Sequence, residues 1–147
     1  MKGKLRLISN ANVKPEMHAL PTHFDGIKMY IEGGDAEKGV ADALRATYES
    51  AVALRMASFI PQCTETMWVV TTKDGEFGAS AILYVNYLGI PNGDYFAIPS
   101  SVHGWVLLPD NGNYKIETVN EIINQVNDEQ VPPEERLGDH AYRIKVG

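Results

Sequence analysis

Ser101 and His103 stand two residues apart, and a hydroxyl beside an imidazole is the beginning of a nucleophile–base pair. On a strand the two side chains share a face. Hydrolysis by such a pair also needs an acid that orients the ring and an oxyanion hole. Asp94, Asp110 and Asp139 are available as orienters, and nothing in the sequence selects one of them. The plainer reading is a turn capped by serine hydroxyls, in which a Ser101–His103 bond serves structure alone. That reading is preferred.

His18, His23 and Asp25 form a His-x4-His-x-Asp cluster, a donor set that zinc or another divalent metal could use. No fourth ligand accompanies it, and the spacing is not a usual zinc pattern. No metal and no cofactor is therefore expected. Glu134 and Glu135, with Asp128 and Glu129, make an acidic patch. Neighbouring carboxylates on a turn point apart, so this patch reads as solvated surface rather than an acid–base pair. Cys63 follows a helix C-terminus, where a thiol gains no help in ionising. Gly33-Gly34 precedes a helix but lacks the further glycines or the Lys-Ser/Thr of a phosphate loop, and Asp35 would repel a phosphate.

The elements that position these residues follow from periodicity. Leu5, Leu7 and Ile8 read as a first strand, and Ile27, Met29 and Ile31 alternate as a second. Asn10 to Asp25 reads as an irregular loop. Asp35 is a good N-cap for a helix over Ala36–Phe59, whose stripe Val40–Leu44–Tyr48–Val52 is expected to enter the core. Pro61 stops it. Met67–Thr72 is a β-branched, aromatic strand. Asp74-Gly75 then suggests a hairpin to a return strand over Phe77–Tyr84, although that run could instead begin a helix. Tyr95–Ile98 and His103–Leu108 are apolar on both faces, as central strands are. Ile116, Val119, Ile122, Ile123 and Val126 mark a second amphipathic helix. Pro133–Arg136 suits one more helical turn, and Ala141–Val146 a last strand.

The chain has 147 residues, a size that fits one domain over 1–147. With 44% hydrophobic and 22% charged residues, it has the composition of a folded protein. A net charge of -6 opposes phosphate-backbone binding, and the sprinkling Lys2, Lys4, Arg6 and Lys14 reads as a solvated strand face. A single cysteine allows no internal disulfide. No apolar run is long enough for a membrane span or a signal peptide, so a cytoplasmic location is expected.

The second half resembles a family of bacterial proteins of unknown function, found mainly in Gram-positive gut anaerobes. The resemblance rests on Val70-Thr71-Thr72, on Gly78-Ala79-Ser80-Ala81-Ile82-Leu83-Tyr84, and on Asp94-Tyr95-Phe96-Ala97-Ile98-Pro99-Ser100-Ser101-Val102-His103. It continues through Val126-Asn127-Asp128-Glu129-Gln130-Val131-Pro132-Pro133-Glu134-Glu135-Arg136-Leu137-Gly138-Asp139 to Tyr142. It covers residues 66–147 and leaves 1–65 unmatched. Gly104 stands where the family usually has an acid, and Val85–Gly93 replaces a longer helical connection. The resemblance implies a shared fold and no particular activity. It also implies an association with mobile elements, and hence inhibition of a host nucleic-acid-handling protein as one concrete role.

The expected architecture is α+β: a largely antiparallel sheet carrying one long and one shorter helix. A five-stranded, profilin-like core with an added N-terminal hairpin would satisfy it. The expected function is a non-catalytic interaction or regulatory protein whose partner is another protein, with no direct nucleic acid or membrane binding. The alternative is a small serine hydrolase using Ser101 and His103.

Overall fold

The computed structural model describes residues 4–17, 19–32, 40–56, 66–112 and 114–147. The expectations for Lys2, His18, Gly33-Gly34, Asp35, Phe59, Pro61 and Cys63 lie outside these residues. Eight strands are present among them, in two antiparallel sheets. β1 (Lys4–Ser9), β2 (Leu20–Pro21) and β3 (Ile27–Glu32) form the smaller sheet, in the order β1-β3-β2. β4 (Ala51–Met56), β5 (Met67–Thr72), β6 (Gly93–Ser101), β7 (Gly104–Pro109) and β8 (Tyr142–Val146) form the larger, in the order β4-β5-β7-β6-β8. The helices are α1 (Val40–Ser50) and α2 (Ile116–Gln130). The fold is α+β, with helices packed on antiparallel sheets.

Alternation along the strands divides the larger sheet into two apolar faces. One face presents Val70, Ala97, Trp105 and Leu107, and packs against Leu7 and Ile27 of the smaller sheet and Ala79, Ala81 and Ile82. The other presents Met67, Phe96, Ile98, Val106 and Leu108, and packs against Val119 and Ile123 of α2. β6 and β7 lie in the interior of the sheet and are buried on both faces, as their unbroken apolar runs predict.

Three expectations need correction. The pattern over Ala36–Phe59 predicts one long helix, but α1 ends at Ser50 and β4 begins at Ala51. β4 pairs with β5 along its whole length, from Ala51–Thr72 to Met56–Met67. That ladder outweighs the helical propensity of an alanine-rich segment. α1 is consequently the shorter helix, at 11 residues against 15 for α2. Its buried face is also not the predicted stripe. Ala43 and Thr47 are buried, while Leu44 and Tyr48 are exposed. Small side chains let α1 lie close to its neighbours, and the larger ones one position on face outward.

Phe77–Tyr84 is likewise not a return strand. Gly75 makes the turn at φ +70, and Gly78–Tyr87 is a 3₁₀ segment, kinked at Tyr84, lying across the sheet. Both sides of β5 are already taken, by β4 and β7, so a third strand has nothing to pair with. Gly78 allows the close approach: a Cβ there would stand 2.5 Å from the Thr72 amide nitrogen.

Candidate functional site

The β6–β7 connection is held from every side. The register shifts between Ile98 and Ser101, so the hairpin closes irregularly. The Val102 amide donates to the Glu135 carbonyl (2.9 Å), and the Val102 carbonyl accepts from Ala79 (3.2 Å). The Thr71 hydroxyl donates to the His103 carbonyl at 2.6 Å. The Ser101 hydroxyl accepts the His103 amide at 3.1 Å. These bonds use the polar groups that a turn between two buried strands must satisfy.

The His103 ring is pinned at both nitrogens. The Phe77 amide donates to Nδ1 at 2.8 Å, which leaves the proton of the neutral ring on Nε2. Nε2 faces Glu135 Oε1 at 2.5 Å. Phe77 is itself unusual, in the left-handed region at φ 51. Such a backbone costs of order 1–3 kcal/mol in a residue other than glycine. Its ring is held edge-on by His103 (4.8 Å between centroids) and covered by the Arg6 guanidinium at 3.9 Å.

Ser101 and His103 are thus brought together through the main chain, with no bond between the serine hydroxyl and the imidazole. The serine bonds the histidine backbone, and the ring nitrogens are engaged elsewhere. Nor do the proposed orienters reach the ring. Asp110 pairs with Arg143 (3.5 Å), Asp139 with His140 (2.7 Å), and Asp94 accepts the Asp110 amide through its carbonyl. Glu135 does reach it, although the sequence places it on a solvated patch. Thirty-two positions separate the pair, and no periodicity connects a hairpin end to a 3₁₀ turn beyond the second helix. No local feature of the sequence marks Glu135 as the partner of His103.

His23 and Asp25 are exposed on the loop before β3, and His18 lies outside the described residues. No cluster of three or more His, Cys, Asp or Glu that could hold a metal occurs among the described residues. The Asp25 carbonyl instead accepts the Tyr142 hydroxyl. Burial, with Asp25 and Asp139 nearby, pushes the Tyr142 phenol up to about 12. No helix among the described residues is long and apolar enough to cross a membrane.

Beside His103 a cleft of about 1050 Å³ opens between α2 and the sheet. Its floor is Val69, Ile98 and Val106, and its helical wall is Ile122 and Val126. Thr71, Ser101 and His103 close one end, and Gln125, Glu129 and Gln130 form the lip. With about 100° per residue, Thr118, Ile122, Gln125, Val126 and Glu129 fall on one face of α2. Glu117 and Glu121 are exposed on the ridge just outside that face, and α2 contains no Lys or Arg. Periodicity places Ile122 and Val126 on the apolar stripe of an amphipathic helix. In the structure they are only half-buried and line an opening.

No curated protein and no solved structure is significantly similar to the chain. A family model does match it over residues 7–145, taking in residues 7–65 of the part that the resemblance left unmatched. The chain belongs to that family, the Family of unknown function (DUF5688).

Proposed function

We propose that this is a non-catalytic interaction protein that holds a segment of a protein partner in the cleft between α2 and the sheet. The observation that carries this reading is the cleft itself: an apolar floor and wall with a few convergent polar groups at one end, the usual make-up of a binding site. Its outer ridge is acidic, so the segment that suits it has apolar anchors flanked by Lys or Arg. A helix or strand laid into such a groove binds through its anchors and is oriented by its charges. A basic surface of a host nucleic-acid-handling protein has this chemistry, and blocking that surface is the regulatory role the reading favours.

The hydrolase alternative has less support. The imidazole that would take the serine proton already accepts one amide hydrogen and faces a carboxylate. Panning a random peptide library on phage against the protein tests the reading. Peptides with apolar anchors and basic flanks should be enriched, and Ile122→Glu should abolish the enrichment. Enrichment that ignores Ile122→Glu, or none at all, would overturn it.

A further inference from the structure

The two edges of the larger sheet are unlike. β8 exposes Arg143 and Lys145, and charges of this kind discourage an edge from pairing with another chain. β4 reads Ala-Val-Ala-Leu-Arg-Met and has no such guard. Its one charge, Arg55, lies near the ring of Trp68, 5.4 Å from the centroid. Leu54, on the opposite face, is 56% exposed. Among the described residues no strand pairs with the outer side of β4.

An aromatic cluster flanks this edge. α1 runs directly into β4, and Tyr48 in its last turn packs edge-on against Tyr84 (5.2 Å) and Tyr87 (6.3 Å). The Tyr84 hydroxyl donates to the Leu44 carbonyl at 2.9 Å, which fixes the group. Tyr48 is 54% exposed and Tyr87 73%, with Leu44 and Leu83 exposed beside them. Tyrosines already held in place lose little side-chain entropy when covered, which makes them effective contact residues.

We propose that β4 pairs antiparallel with β4 of a second copy about a two-fold axis normal to the sheet. Both larger sheets then become one continuous sheet, and both tyrosine clusters come to the same side of it. A strand paired with itself must be self-complementary, and β4 is. In the register centred on Leu54, each Leu54 faces the other, Val52 faces Met56, and Ala53 faces Arg55. No like charges are opposed, and every opposed pair has an apolar member. Area supports the pairing as well. At about 150–250 Å² per aromatic side chain, the exposed parts of Tyr48 and Tyr87 alone come to roughly 190–320 Å² per copy, and the exposed Leu44, Leu54, Leu83 and the strand's main chain add to that toward the ~800 Å² per partner of a stable interface.

Sedimentation equilibrium of the full chain over a concentration series tests the pairing, alongside amide exchange. The wild type should sediment as a dimer, with the amides of residues 51–56 better protected as concentration rises. Leu54→Lys and Tyr87→Glu should each give a monomer with an unchanged far-UV circular dichroism spectrum. Lys145→Glu, on the opposite edge, should remain a dimer. A wild type that stays monomeric throughout, or a dimer that survives both Leu54→Lys and Tyr87→Glu, would overturn the proposal.

Discussion

Replacing His103 with alanine should destabilise the protein by about 2 kcal/mol. The ring makes two bonds, one from the Phe77 amide and one to the Glu135 carboxylate. A net hydrogen bond contributes roughly 1 kcal/mol, and a bond to a charged group about 1.5–3 kcal/mol. The second figure must be reduced here, because the His103 and Glu135 side chains are each about a third exposed. Water can therefore replace part of what is lost. For a chain of this length, about 2 kcal/mol corresponds to a melting temperature lower by roughly 4–8 °C. Glu135→Ala should cost less, because the freed Nε2–H reaches solvent, and the double variant should fall short of the sum by about 1 kcal/mol. Ser101→Ala should cost about 1 kcal/mol through the lost His103 amide bond. Thermal melts and denaturant titrations of the four proteins measure all of this. A serine-directed covalent probe should leave the wild type unlabelled. A His103→Ala melt that matches the wild type, together with probe labelling that depends on His103, would refute the reasoning and restore a catalytic pair.

Three further outcomes follow from the packing. Leu44→Ala should cost less than about 1 kcal/mol because Leu44 is exposed, whereas Ala43→Leu should cost about 1–3 kcal/mol by overfilling the buried contact of α1; thermal melts compare them. Gly78→Ala should destabilise by at least about 2 kcal/mol, since the new methyl would meet the β5 main chain, and a wild-type denaturation midpoint would contradict the placement of the 3₁₀ segment. The Tyr142 phenol ionises near 10 in the unfolded chain and at about 12 in the fold. Its contribution is therefore whole below pH 10 and is lost as pH rises from 10 to 12, so stability over that window should fall less steeply in Tyr142→Phe than in the wild type.

What the sequence discloses here follows from how local each signal is. β6, β7, α2 and β8 are legible because their signals are local: an unbroken apolar run such as Tyr95–Ile98 marks a central strand, and the Ile116–Val126 stripe states a helical period. β4 is not, because Ala51–Met56 is alanine-containing, short and continuous with a helical pattern. Only its pairing with β5 makes it a strand. The 3₁₀ segment is hidden for a similar reason, since Ala79–Tyr84 is apolar at neither period, and the occupied sides of β5 decide its fate. At the site, Ser101 and His103 are visible as a local pair, but their roles are fixed by Phe77, Thr71 and Glu135, which lie far away in the chain. The cleft is less legible still. Ile122 and Val126 look like core residues until α2 is seen to cover only part of the sheet.

The most direct test of the central claim is an amide ¹H–¹⁵N correlation spectrum recorded while a selected basic–apolar peptide is titrated in. Binding in the cleft should shift the resonances of Val69, Ile98, Val106 and residues 118–129, with the largest changes at Ile122 and Val126. The same titration of Ile122→Glu should leave the spectrum unmoved. Shifts confined to surfaces away from α2, or a spectrum in which the wild type and Ile122→Glu respond alike, would contradict it.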